Sequence, residues 1–145
     1  MENGNCYHFG TDKVTKPDAK RACFDMNAGL LLISNAAENA NIASELAGSD
    51  DTYWLRINDA REEGQWVVDR WGYEKPTTWT SAPFENWSTE ASNDAMKNSA
   101  VITSDGTWSL VDKYATSNYI CQVAPHEGSA QEKTLNGMSL KNSTN

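Results

Sequence analysis

Thr15-Lys16-Pro17-Asp18-Ala19-Lys20-Arg21-Ala22-Cys23-Phe24-Asp25-Met26-Asn27-Ala28-Gly29-Leu30-Leu31-Leu32-Ile33 is the stretch on which the fold turns. Thr15 is a good helix cap, and proline is tolerated in a first helical turn, as Pro17 would be. Ala19, Ala22, Cys23 and Met26 recur at i, i+3, i+4 and i+7. That spacing predicts a helix with these four residues turned inward. Gly29 is expected to end it. Leu30 to Ile33 then reads as a short, fully apolar strand. Asn35, with Glu38 three residues on, has the form of a capping box and opens a second helix. It runs to about Leu46, with Ile42, Ala43 and Leu46 inward.

Outward from this helix–strand–helix step the chain reads as strands. Residues 5–10 form a short one before it. After the break at Gly48 to Asp51, Thr52 to Asn58 alternates as a strand should, and Gln65 to Val68 forms another. Periodicity then stops from about Arg70 to Asn98. A long irregular stretch in a compact domain is usually functional or disordered. Trp71, Trp79 and Trp87 within it argue for order. Strands resume at Ala100 to Thr103, with Asp105-Gly106 as a hairpin turn. They continue through Trp108 to Val111 and Asn118 to Val123. After Pro125 the residues are polar. The expected organisation is one domain over residues 1–125 and a polar, disordered tail or linker over 126–145. Two helices with antiparallel strands make an α+β domain.

The 145 residues suffice for one such domain. Apolar residues are 39% of the chain, and six Trp and five Tyr supply much of its bulk. A net charge of −8 argues against nucleic acid and against an anionic membrane surface. No apolar run reaches the ~18 residues that a membrane span needs. The start, Met1 to Cys6, lacks the basic and apolar regions of a signal peptide. The expectation is a mature or excised domain of a secreted or cell-surface protein. The sequons Asn86-Trp87-Ser88 and Asn142-Ser143-Thr144 are too common by chance to decide this. No nucleophile elbow, phosphate loop or zinc pattern is present, and no enzyme is expected. Three cysteines are an odd number, so one is left over, and the count does not say which.

Several short motifs resemble the C-type-lectin-like domains. These are Cys6-Tyr7-x-Phe9, Ala19 with Cys23, the Gly29 to Ile33 run with Glu38, and Tyr53-Trp54-Leu55-Arg56-Ile57. Glu63-Gly64-Gln65-Trp66, Phe84-x-Asn86-Trp87, Asp105-Gly106-x-Trp108 and Tyr119-Ile120-Cys121 follow in order. Residues 5–123 are covered. In the Tyr53 to Ile57 strand, Arg56 stands where the family has a glycine, and the sequence offers no reason beyond a place at a sheet edge. The resemblance implies a C-type lectin-like fold with a long irregular loop. It also implies a disulfide between Cys23 on the first helix and Cys121 on the last strand, which suits the inward face of Cys23. A second family disulfide is absent, with Ala100 and Lys113 near its two places. Cys6 resembles half of a third, and is left as a free thiol or as a link between two chains.

The resemblance also implies a recognition function through the loop of residues 70–98, toward a glycan or a cell-surface protein. In the family a loop calcium ion holds two sugar hydroxyls. Its ligands resemble Glu-Pro-Asn or Gln-Pro-Asp, then a Glu, then Trp-Asn-Asp. Here the triplet falls at Ala91-Ser92-Asn93, or one residue earlier at Glu90-Ala91-Ser92, without the proline. The Glu is Asn98, and the last triplet is Trp108-Ser109-Leu110. Calcium needs about six to eight oxygens. The implied set of Glu90, Ser92, Asn93, Asn98 and Ser109 is therefore degraded, which favours calcium-independent protein binding. A second calcium position is better kept at Asp59, Glu63 and Asp94. The competing reading makes Asp59 and Glu63 ordinary turn residues. Calcium is expected either as a loop-ordering ion here or held weakly by Glu90, Asn93, Asn98 and Ser109. Glycan binding needs it in neither case, and no cofactor is required. Trp54, Trp66 and Trp108 are expected in the core and Trp87 as a loop anchor. Trp71 and Trp79 are candidates for an exposed stacking face.

Overall fold

The computed structural model describes residues 6–69, 80–88 and 96–123. The element order is β1 (Cys6–Phe9), α1 (Lys16–Asp25), β2 (Gly29–Leu30), α2 (Ala36–Glu45), β3 (Tyr53–Asn58), β4 (Val67–Val68), β5 (Ser99–Ile102), β6 (Trp108–Val111) and β7 (Ile120–Val123). They form a three-stranded sheet in the order β1-β7-β2 and a four-stranded sheet in the order β4-β3-β5-β6. Every ladder pairing is antiparallel. The α+β reading holds. The expected tail, residues 126–145, lies outside the described residues.

The α1 cap forms as expected, with Asp18 N–H donating to Thr15 Oγ1 and Pro17 in the first turn. Its end does not lie at Gly29. Asn27 takes the left-handed conformation at φ 63°, which Asn tolerates better than most residues, and Ala28 N–H returns to Cys23 O at 2.8 Å. The helix closes two residues early and frees Gly29 to enter β2. The inward face is correspondingly shorter than its spacing suggests. Ala19 and Cys23 are fully buried, whereas Met26, past the helical turn, is exposed. Leu30 to Ile33 is not a four-residue strand either. Only Gly29 and Leu30 pair with β7, and Leu31 N–H and Leu32 N–H then bond Ile120 O and Gln122 Oε1.

In α2, Asn35 Oδ1 accepts from Glu38 N–H, and the Glu38 carboxylate reaches back to Ser34 N–H at 2.9 Å. Asn39 on this helix is buried, although it lies outside the expected inward set. Its amide donates to Gly106 O and accepts from Trp108 Nε1, both at 2.9 Å. The Asp105-Gly106 turn is thereby tied to α2. Gly106 sits at φ 89°, and a Cβ there would stand 3.2 Å from Asn39 Nδ2. The exposed Asp105 carboxyl is drawn down to about 2 by the Thr103 hydroxyl, then by the Thr107 N–H and hydroxyl.

Strand β3 explains why this chain has two cores. Tyr53, Leu55 and Ile57 face a cluster with Leu31, Ile33, Ile42, Leu46, Ile102 and Trp108. Trp54 faces the other way, into Ala19, Cys23, Leu30, Val101 and Cys121. The period of two along a strand sends alternate residues to each. Both faces of β3 and β5 are covered, so the burial of β5 is continuous. The Cys23–Cys121 disulfide lies in the second cluster, with Cα atoms 5.2 Å apart and a separation of 98 residues. Cys6 is exposed and unpaired with another cysteine.

A loop of that length, held closed in the unfolded chain, stabilises the fold by about 4–5 kcal/mol on the chain-entropy account. Reduction, or Cys23→Ala with Cys121→Ala, should therefore lower the denaturation midpoint by several molar-equivalent steps of chemical denaturant. Equal melting of oxidised and reduced samples would show that the bond contributes nothing.

Candidate functional site

The turn from β3 to β4 is where the expected metal residues meet the loop. Asp59 is the first residue after β3 and only 2% exposed. Its Oδ2 accepts from Gly64 N–H at 2.8 Å, which closes the turn. Oδ1 is buried and has no hydrogen-bond partner among the described residues. So the turn reading accounts for one oxygen of Asp59 and leaves the other. Glu63 is exposed on the same turn. Asp59 N–H donates to Asn98 O at 3.3 Å, and this bond brings the Asp59 turn to the point where the long loop re-enters β5. Ser109 is half-buried inside the β5–β6 ladder, opposite Val101. Trp71, Trp79, Glu90, Ser92, Asn93 and Asp94 lie outside the described residues. Among the described residues no three His, Cys, Asp or Glu side chains converge as a metal centre.

The described part of the loop is better ordered by pairing than its composition suggests. Val68 N–H bonds Thr80 O, Ala82 N–H bonds Trp66 O, and Ser81 bridges to Val67. Trp87 sits 4.7 Å from Trp66 and 5.6 Å from Trp108, ring centre to ring centre. Its anchoring role and the core positions of Trp54, Trp66 and Trp108 are as the sequence indicates. Asn86 of the first sequon donates its side-chain amide to Gly106 O at 2.8 Å. That nitrogen is the one a glycan would occupy.

Beneath the turn lies a network that sequence reasoning missed. Lys16 Nζ is buried, 2.8 Å from Asp69 Oδ2, and donates to Ile57 O at 2.7 Å. The contact sets charge directly against charge. Asn58 donates to Asp69 Oδ1 and accepts from Ala60 N–H, joining the buried pair to the Asp59 turn. Burial pushes the Asp69 carboxyl up, but attraction to Lys16 and Lys20 and the bonds from Lys16 and Asn58 bring it below the usual range. Nothing in the sequence signals this pair. Lys16 follows a helix cap and Asp69 follows a strand, both common places for exposed charge.

Arg56 is not at a sheet edge. It lies in β3, between β4 and β5, and its Nε donates to Asp69 O at 3.3 Å. A Cβ on Gly29 would stand 3.0 Å from its Nη1, so Gly29 makes the room for it.

The comparisons agree with this geometry. Residues 12–123 match the family model described as "Lectin C-type domain". The chain belongs to that family. It is 30% identical over 120 residues to human C-type lectin domain family 17, member A, covering 82% of this chain and 29% of that protein. The chain thus spans under a third of that relative's length. Its fold is similar to the mouse scavenger receptor C-type lectin carbohydrate-recognition domain, with a TM-score of 0.71 and 21% identity over 85% of this chain and 92% of that one. It is also similar to a structure titled a calcium-independent type II antifreeze protein, with a TM-score of 0.68 and 18% identity over 86% and 89%.

The Lys16–Asp69 pair yields a test with a defined sign. Asp69→Asn leaves a buried ammonium uncompensated and should cost about 3–5 kcal/mol. Adding Lys16→Met should restore much of that loss. Because the folded Asp69 pKa is depressed, its stabilisation is present above the unfolded value and is lost as pH falls through the folded one. Acid unfolding of wild type should therefore be steeper than that of the double variant. Identical acid midpoints would remove this role.

Proposed function

We propose that the chain is a non-catalytic, extracellular recognition domain that binds its ligand through the loop of residues 70–98. The observation that carries this is the way the frame holds the loop. Trp87, inside the loop, packs against Trp66 and Trp108, and Asp59 bonds Asn98 at the loop's end. The family membership supports recognition: of the proteins named above, one is described as a C-type lectin and one as a carbohydrate-recognition domain, beside an antifreeze protein. The disulfide supports an oxidising compartment. Among the described residues no helix is long and apolar enough to cross a membrane.

Calcium fits Asp59 by donor chemistry, because a buried carboxylate oxygen without a partner suits a hard cation. Asp59 would hold the ion with Glu63 and Asp94, and Asn98 or Ser99 nearby. Its role is to order the loop. The degraded set of Glu90, Ser92, Asn93, Asn98 and Ser109 supports a second reading, calcium-independent protein recognition with the Trp71 and Trp79 rings as the contact face. Cys6, exposed and without a cysteine partner, supports a disulfide-linked pair of chains. Non-reducing electrophoresis should show a band of twice the chain mass, and a single band at 16.0 kDa would remove the pair.

A glycan array in calcium and in chelator separates the two readings. Glycan signals that chelator removes would overturn the protein-only reading, and silence in both buffers would leave only the protein ligand. Calcium at about 100 times its Kd should add about 2.7 kcal/mol to wild-type stability. The same addition should do nothing to Asp59→Asn. An unmoved wild-type melting temperature would remove the metal site.

A further inference from the structure

Away from the Trp87 anchor, a groove of about 850 Å³ runs between α1, the Gly29–Leu30 strand, Arg56 of β3 and the segment after β6. Half of the chain's twelve Lys and Arg residues line it: Lys16, Lys20, Arg21, Arg56, Arg61 and Lys113. Among the described lining residues only Asp69 and Asp112 oppose them. A chain of net charge −8 thus gathers four excess positive charges into one concave place. Scattered surface lysines would not do this. Lys20 and Lys113 both stand near enough to repel the Lys16 ammonium.

Arg56 and Lys113 have donors left over among the described residues, and Lys20 Nζ stands at the limit of ion-pair distance, 4.0 Å, from Asp69 Oδ2. Lys16 is committed to Asp69 and Ile57 O. Arg56 uses Nε on Asp69 O, and no other hydrogen bond from its guanidinium occurs among the described residues. Lys113 has the Tyr114 ring 5.1 Å from its Nζ and no carboxylate within ion-pair distance there. Arg56 stands where the family has a glycine, and Lys113 stands near a family cysteine. Both departures from the family pattern place a cation on this groove. Burying part of an arginine costs stability, and a Cβ on Gly29 would meet the end of this side chain at 3.0 Å.

Beside Asn58, Asn98 and Ser99, the uncharged lining is largely apolar. Ala28 and Leu30 are buried in the floor, and Phe24 and Tyr114 are 38% and 67% exposed at the rim. The volume falls in the range of about 300–1,000 Å³ typical of small-molecule pockets. Inorganic sulfate would not need the floor, and a purely apolar ligand would not need the cations.

We propose that this groove, which borders the return of the 70–98 loop, is a second ligand site for a small organic anion: a carboxylate or sulfate facing Arg56, Lys20 and Lys113, on an apolar body lying against Leu30 and Phe24. It does not depend on the loop reading. Of the loop's described residues, Met96 and Asn98 line the groove.

The test titrates the isotope-labelled whole chain with 2-naphthoate, with 2-naphthamide as the neutral match and sodium sulfate as the bare anion, followed by amide chemical shifts. Saturable shifts are expected at Phe24, Leu30, Arg56 and Lys113. Affinity should fall about tenfold in Arg56→Met, the loss of one charge-assisted contact. It should fall severalfold in the exposed Lys113→Gln, and with added sodium chloride. The amide and sulfate should each bind at least about tenfold more weakly. Lys113→Gln keeps the test decisive should Arg56→Met fail to fold. No shift at millimolar naphthoate, equal binding of the amide, an affinity unchanged in Lys113→Gln, or shifts confined to residues 59–64 and 96–99 would each overturn the proposal.

Discussion

The bond between Cys23 and Cys121 is the constraint on which the rest of this structure depends. It fastens α1 to β7, the central strand of the three-stranded sheet, with Trp54 packed beside it. Helix α1 is otherwise attached by a small apolar face and by Lys16. Its buried face is short, because Asn27 ends the helix early and Met26 turns outward. Once α1 is held, Lys16 at its start lies where it can reach Asp69 after β4. Asp69 in turn takes Asn58, and Asn58 takes the backbone of the Asp59 turn. A covalent bond at one end of the domain is thus connected, through one buried ion pair, to the residues that meet the long loop.

The same frame explains how two surfaces of different character arise in one small domain. Strand β3 sends alternate side chains to opposite cores, and Arg56 is where that alternation meets solvent. On one face the aromatic stack of Trp66, Trp87 and Trp108 holds the loop without a second framework disulfide. Trp87 also bridges to Trp108 through the backbone, with Ser88 N–H on Trp108 O at 3.0 Å. On the other face α1 and Arg56 leave a groove with a positive rim. The loop face belongs to the family pattern, and the groove is made by departures from it.

Much of this was legible in the chain. Cys23 could be placed inward because helical spacing is a local property, and the disulfide followed from the family pattern. The two caps at Thr15 and Asn35, and the Asp105-Gly106 turn, are short-range chemistry of the kind that sequence reports well. Asn27 in place of Gly29 was not legible, since either residue can adopt the left-handed conformation. Neither was the Lys16–Asp69 pair, which depends on two distant segments meeting, nor Asn39, whose place under Trp108 is set by the hairpin above it. At the candidate site the identity of Asp59 was legible but its state was not. Only the packing shows that one oxygen closes the turn and the other is buried without a partner.

We propose that the disulfide-held frame presents a loop whose order an ion at Asp59 would complete. Amide hydrogen exchange of the intact chain in calcium and in chelator tests it most directly. Calcium should slow exchange selectively at residues 59–64 and 96–99, while Cys121 and its neighbours in β7 stay equally protected in both buffers. Unchanged exchange at the turn and the loop's return, or a loss of protection in β7 on chelation, would contradict the account.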